Sequence, residues 1–383
     1  MDLLSGIRVL DLTRLTPGAY GSLLLADLGC DVVKIEEPVA GDYMRELVPA
    51  GFATLNRGKR SVSLNLKAEA GRELFLRMVA EADVVFESFR PGVVGRLGID
   101  YAAVQAVRPD IVYCSLSGFG QSGPDRTTSG HDLNYQGVAG FARLLPVVDK
   151  VPQPVGIAVG DLATAMCCAL SISAAIAARR ATGRGQYIDV AITDVLVSWM
   201  SRYLAEAEHR AAADLVAETE GRAGYGIFRT SDDAEVSLGC IEDVFWHRFL
   251  DLLPADDPLY AMRERSVRDA DPVRTNALVA AAMRLRDRAT WLELARSADV
   301  PIAPVHELHE VRSDPQIVAR RLFGGAEQTP GTRSVRFPAL FSNAGGQAFG
   351  PAPELGEHTE ALFAEIGVEP GTIDELRAAG VIR

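Results

Sequence analysis

The chain has 383 residues, 48% of them hydrophobic, and a formal net charge of −12. That length and apolar content support a large core divided among two or three lobes. The acidic balance argues against a nucleic-acid partner, which needs a basic surface, but leaves room for an anionic small ligand held by local Arg and Lys.

No basic stretch precedes an apolar one in Met-Asp-Leu-Leu-Ser-Gly-Ile-Arg-Val-Leu at the start of the chain, so no secretory signal is expected. Ile7-Arg-Val-Leu-Asp-Leu12 reads as a short buried strand. Thr16-Pro17-Gly18 predicts a turn into a helix from Ala19 to Leu28, which Gly29 ends; Asp31–Glu36 is the next strand. This is a β–α–β unit with a parallel strand pair. The pattern recurs with a helix over 68–82, a strand over 83–87, a helix over 101–107 and a strand over 111–115. The first third is therefore an open, Rossmann-like parallel α/β sheet whose ligands bind beyond the carboxyl ends of its strands. The first strand is followed by Leu-Thr-Arg-Leu-Thr-Pro-Gly rather than a Gly-x-Gly-x-x-Gly turn, which excludes NAD and FAD, and no Walker-type loop occurs.

Asp161 opens an apolar stretch over 162–178 that ends at Arg179 and Arg180. Its length is marginal for a membrane span, and a buried helix is expected. Gly183–Ala191 makes a turn and a strand, and a helix runs to about Glu208. From Gly224 the character changes to a β-hairpin over 225–229 and 235–238, then helical patterns at 243–253, 273–287 and 290–297. The chain thus divides into a large α/β domain over 1–223, a smaller α+β domain over 224–320, and a C-terminal segment over 321–383. That segment ends in a helix near 372–379 and returns to the large domain. Cys30, Cys114, Cys167, Cys168 and Cys240 lack zinc-ligand spacing. No metal is expected, and reduced, buried thiols of a cytoplasmic protein fit them.

His131 stands in Ser-Gly-His-Asp-Leu-Asn-Tyr (129–135), a polar run leading into small and apolar residues, where polar groups at the mouth of a buried segment suggest a site. Asp161 follows in Val-Gly-Asp-Leu-Ala-Thr-Ala (159–165). It reads as the cap of its helix, and equally as an anion favoured by the helix N-terminus, with neighbouring N–H groups placed to hold an oxyanion. An imidazole and a carboxylate can move a proton from one face of a carbon to the other; a carboxylate alone can attack a thioester. Glu242, in Leu-Gly-Cys-Ile-Glu-Asp (238–243), is a third acidic candidate. Asn56-Arg-Gly-Lys-Arg60 with Lys67, and Arg90 with Arg96, form two basic clusters suited to phosphates, with Phe89 placed to stack on a purine.

These segments together resemble the family III CoA-transferase superfamily (CaiB/BaiF type), which includes α-methylacyl-CoA racemase. The resemblance runs through 4–12, 26–36, Asn-Arg-Gly-Lys-Arg-Ser-Val-Ser-Leu-Asn-Leu-Lys (56–67), Phe-Arg-Pro-Gly (89–92), Gly-Phe-Gly-Gln-Ser-Gly-Pro (118–124) and 183–190. It implies an interlocked homodimer with the active site between subunits, an acyl-CoA substrate and no cofactor beyond its CoA moiety. It also implies CoA contacts from the backbones of Leu64, Asn65, Leu66, Ser88 and Phe89, from Lys67, Arg90 and Arg96, and from Gly130, Asp132, Leu133, Asn134 and Tyr135.

Within the superfamily, Gly130–Tyr135 and Gly239-Cys-Ile-Glu242 resemble racemase elements. They imply a 2-methylacyl-CoA racemase or close epimerase working by 1,1-proton transfer through an enolate. His131, paired with Glu242, would serve one face of the carbon and Asp161 the other. The alternative is CoA transfer between an acyl-CoA and a carboxylic acid through an aspartyl-CoA thioester on Asp161. Three features depart from the racemase pattern: Ile157 in place of an Asn, Leu-Ala-Thr-Ala after Asp161, and the transferase-like Asp-Leu-Thr-Arg at 11–14. Glu37 stands where many relatives of the superfamily place an Arg, which removes one expected phosphate contact.

Overall fold

The computed structural model describes residues 2–149, 151–210, 221–324, 334–343 and 350–383. It separates into two compact units. One holds Met1–Ala142, Pro154–Ser201 and Arg321–Arg383; the other holds Arg143–Gln153 and Arg202–Arg320. The second unit thus begins before the change of character at 224, and it includes a short hairpin excursion at 143–153.

The first unit is built on strands β1 (Arg8–Leu12), β2 (Asp31–Glu36), β3 (Arg60–Ser63), β4 (Val84–Glu87), β5 (Val112–Ser117) and, later in the chain, Gln186–Ala191. All neighbours pair in parallel. The order is β3-β2-β1-β4-β5 and then Gln186–Ala191, so the winding direction reverses between β1 and β4. Both faces are covered, which is why β1, β2, β4 and β5 carry consecutive apolar residues, such as Val9-Leu10, Val32-Val33 and Val84-Val85-Phe86, rather than a strict alternation. Val9, Val32, Val84 and Val112 face one core. Their chain neighbours Leu10, Val33, Val85 and Tyr113 face the other. The second face is closed by helix Glu69–Ala80 and by Leu362, Phe363, Ile373 and Leu376 of the C-terminal segment.

Helix α1 (Leu15–Asp27) and helix Val159–Thr182 cover the first face. Each descends toward the amino ends of the strands: α1 leads into β2, and Arg179, near the end of the second helix, bonds Asp83 beside the start of β4. The two helices are therefore parallel. A side chain added at Gly21 would lie 3.1 Å from the Ala165 carbonyl, which fixes their register. Pro17 and Asp161 each lie four residues before this contact in their own helix.

Several elements differ from expectation. Thr16-Pro17-Gly18 is not a turn before the helix but part of the first turn of α1, where a proline removes only an N–H that has no intrahelical partner. Helices Met44–Leu47, Pro49–Leu55 and Thr359–Glu365 carried no readable period, being only one or two turns long. The apolar helix at 159–182 is not buried all round: Met166 is 52% and Leu170 71% exposed. The second unit is a three-stranded antiparallel sheet, Tyr225–Arg229, Glu235–Gly239 and Ile302–Pro304. It is packed by Trp246, Phe249, Val279, Met283 and Trp291.

The basic cluster at 57–60 is structural. Arg57 makes a two-pronged pair with Asp27 at 2.6 and 2.8 Å, both side chains buried. Lys59 is fully buried and donates to Asn56 Oδ1 (2.8 Å), Ser22 Oγ (2.7 Å) and the Ala19 carbonyl (3.0 Å), with Asp11 at 3.4 Å. Burial pulls its pKa down to about 8 against the pull of Asp11. Lys34, equally buried, pairs with Asp42 at 2.9 Å. Removing one partner of such a set leaves a buried charge unmatched. Lys59→Met is expected to destabilise the chain by about 3–5 kcal/mol in urea unfolding, and Asp11→Asn added to it should restore part of the loss. Strictly additive losses would mean the two side chains are not coupled.

Candidate functional site

The carboxyl edge of the parallel sheet collects most of the residues expected to act. Asn65, Leu66 and Lys67 follow β3, and Ser88, Phe89 and Arg90 follow β4. Lys67, Arg90 and Arg96 are exposed, whereas Leu64 is a core residue, so only its backbone is available to a ligand. That backbone is already engaged: the Leu64 N–H donates to the Glu36 carbonyl (2.7 Å) and the Asn65 N–H to the Val381 carbonyl (2.8 Å). Phe89 packs against the core rather than standing free, its N–H bonded to Glu87 Oε2 at 2.7 Å. The Glu87 carboxyl is buried and pushed up to about 7, with bonds from Ser115 and the Phe89 amide opposing that rise. Sequence reading had passed over Glu87 as the last residue of an apolar strand.

His131 precedes helix Asp132–Val138 and is exposed; its backbone N–H donates to Asn134 Oδ1 at 2.9 Å. Leu133 and Asn134 are exposed on this helix, while Tyr135 is buried, its hydroxyl donating to the Gly130 carbonyl at 2.6 Å. A side chain at Gly118 would meet the Tyr135 ring at 2.3 Å, so that glycine is what lets the loop close over the ring. Asp132 turns toward the neighbouring helix. Its Oδ1 accepts the Asp161 N–H at 2.9 Å and its other oxygen is held by Gln136.

Asp161 is the third residue of helix Val159–Thr182, not its cap; that position is Ala158. Among the described residues its carboxylate accepts no hydrogen bond, and it is only partly buried. Burial first, and the charge of Asp132 second, push its pKa up to about 7. The amides of Asp161 and Leu162 are taken by Asp132 and by the Ala158 carbonyl, so they are not the oxyanion donors expected from the sequence. A side chain at Gly160 would stand 2.8 Å from Asp132 Oδ1, so glycine there permits the Asp132–Asp161 contact. The Tyr135 hydroxyl is held above its ordinary range by burial and by Asp161, with Arg90 pulling the other way. Arg90, Asp132, Tyr135 and Asp161 thus share one electrostatic neighbourhood. Glu242 lies in the second unit, exposed, as the residue preceding helix Asp243–Leu250.

The model of CoA-transferase family III matches residues 4–359. The chain belongs to this family. It is 32% identical to succinate–glutarate CoA-transferase of Agrobacterium fabrum, covering 95% of each chain. It is 34% identical to acetyl-CoA:oxalate CoA-transferase of Acetobacter aceti, covering 94% of this chain and 95% of that one. Among solved structures it resembles a CaiB/BaiF family protein from Brucella suis with a TM-score of 0.82 and 32% identity, over 95% of this chain and 99% of the other. For a member of a CoA-transferase family, an accessible carboxylate without hydrogen-bond donors is a chemically apt centre: it is a stronger nucleophile than one solvated by N–H groups.

Because Asp161 ionises less readily when folded than when unfolded, its contribution to stability is present below about pH 4 and is lost as the pH rises through about 7. Asp161→Asn is expected to melt about 2–4 °C above the parent chain at pH 8, with the gap closing at pH 4. A gap that is absent at pH 8, measured by scanning calorimetry, would contradict the strained carboxylate.

Proposed function

We propose that this chain transfers CoA between an acyl-CoA and a free carboxylic acid, with Asp161 as the nucleophile. A carboxylate oxygen of Asp161 attacks the thioester carbonyl and CoA leaves as its thiolate, giving a mixed anhydride. The thiolate then attacks the Asp161 acyl carbon and expels the donor acid, leaving an aspartyl-CoA thioester. The acceptor's carboxylate attacks that thioester, CoA thiolate leaves again, and its attack on the acceptor's acyl carbon releases the new acyl-CoA and restores Asp161. Lys67, Arg90 and Arg96, exposed at or near the carboxyl edge, are suited to the CoA phosphates. No group beyond CoA itself is called for.

The observation that carries this reading is the Asp161 carboxylate, partly buried and, among the described residues, free of hydrogen-bond donors in a chain of this family. The racemase expectation rested on His131 and Glu242. Both side chains are exposed, and the relatives named above are transferases. Their names also suggest the class of acid: succinate, glutarate and oxalate are small dicarboxylates, and we take an acid of this class as the acceptor.

Incubation with succinyl-CoA followed by hydroxylamine should convert Asp161 to its hydroxamate, read by mass spectrometry of the peptide. Asp161→Ala should lose on the order of 10⁴-fold or more in transfer rate. Deuterium entering the α-carbon of a 2-methylacyl-CoA from solvent with no acceptor acid, and without hydroxamate formation, would overturn this in favour of proton transfer.

We further propose that two copies of this chain associate through the outer face of helix Val159–Thr182, where Met166 and Leu170 are exposed on an otherwise core-forming helix. Light scattering after gel filtration should give a dimer, and Leu170→Asp should shift it toward the monomer. A monomeric parent chain would end the idea.

A further inference from the structure

The loop between β1 and α1 is held more firmly than any turn needs to be. Leu15, a non-glycine residue, has a φ of +60°, a conformation that is unfavourable for a branched side chain and persists only where the surroundings enforce it. Here they do. The Thr13 N–H donates to Asp11 Oδ1 (2.9 Å), and the Thr13 carbonyl accepts from Lys34 Nζ (2.8 Å). The Arg14 N–H donates to Ser88 Oγ (3.0 Å) and the Leu15 N–H to Asp42 Oδ1 (3.3 Å). The side chains of Asp11, Lys34 and Asp42 are all at most 1% exposed. Buried charges are expensive to retain, and these converge on the backbone of Thr13 and Leu15, the two residues that flank Arg14.

The residue so presented is Arg14. It lies at the carboxyl edge between β1 and β4, where the winding of the sheet reverses, the place where open α/β sheets bind their ligands. Its guanidinium rests on two aromatic rings, 5.2 Å from the centre of Tyr43 and 5.7 Å from that of Phe89. Stacking of this kind occupies the faces of the guanidinium and leaves N–H groups along its edge for a planar, two-oxygen partner. One of them reaches the Tyr43 hydroxyl at 3.2 Å. Among the described residues Arg14 makes no ion pair. The carboxylate of Glu37 feels its charge but is occupied by the N–H groups of Val39, Ala40 and Gly41. Arg14 directly precedes α1, and α1 packs on the Asp161 helix, with Gly21 meeting Ala165 one turn beyond Asp161.

We propose that Arg14 is the specificity residue for the acid: its guanidinium holds the second, unreacting carboxylate of a dicarboxylic acid while the first undergoes CoA transfer at Asp161. This rests on the transfer reading given above. A monocarboxylic acid of the same length lacks the group that Arg14 binds and leaves the guanidinium unpaired.

The test compares glutarate with pentanoate, acids of equal chain length that differ in the second carboxylate, as acceptors from succinyl-CoA. Any effect on the donor is common to both acids and cancels in the ratio of their kcat/KM values. The parent chain should prefer glutarate. Arg14→Gln should lower the glutarate-to-pentanoate ratio by about 10–100-fold, the range of one charge-assisted hydrogen-bonded pair, chiefly through the KM for glutarate. Arg14→Lys should recover part of the preference, since it keeps the charge but not the fork. An unchanged ratio in Arg14→Gln would overturn the proposal, and a raised KM for succinyl-CoA alongside it would reassign Arg14 to the CoA moiety. A parent chain that transfers CoA to pentanoate as well as to glutarate would also overturn it, whereas a parent chain that transfers CoA to neither acid would remove the transfer reading itself.

Discussion

Two lysines and two aspartates, Lys34, Lys59, Asp11 and Asp42, lie together out of solvent beneath the first β–α turn. Their formal charges balance. Burial resists ionisation of each, yet the two lysines hold Asp11 below the ordinary carboxylate range, and Lys34 is held above its own by Asp11 and Asp42. Such a set contributes little net stability against an apolar replacement, but it tolerates no partial disruption. Its hydrogen bonds end on the backbone of 13–15 and on the start of α1, so the position of the carboxyl edge between β1 and β4 follows from it.

A second constraint acts on the neighbouring helix of the same face. The first turn of helix Val159–Thr182 is located by Asp132, which takes the Asp161 amide, and by the missing side chain at Gly160. The result is a carboxylate close to another carboxylate, partly withdrawn from water and, among the described residues, without donors of its own. Burial first and the charge of Asp132 second raise its pKa. Asp132, expected from the resemblance to touch CoA, therefore also has a positioning task. It sets the geometry and the basicity of its neighbour.

Charged residues illustrate how differently the same sequence signal resolves. Arg57, Lys59 and Arg90 all read as members of basic clusters. Arg57 and Lys59 are internal and matched to Asp27 and Asp11, while Arg90 stays exposed beside Tyr135. Spacing along the chain carries no mark of this difference, because their partners come from strands and helices about 30 to 50 residues away. Arg14 and Glu87 were passed over for the same reason. Each lies at the end of an unremarkable strand and acquires its surroundings only from the neighbouring one.

The sequence by itself determined the parallel sheet, the position of its carboxyl edge, the hairpin at 225–239 and the membership of the family. Those properties are written in local periodicity and in contiguous motifs, and neighbouring residues enforce them directly. It left open whether Asp161 transfers a proton or accepts an acyl group. What only the tertiary structure decided is the state of that carboxylate and of Arg14. Whether a carboxylate caps a helix or stands without donors depends on Ala158, Asp132 and Gly160 meeting around it. Whether an arginine is neutralised depends on which side chains fold against it, and charge pairing across a sheet leaves no period in the chain.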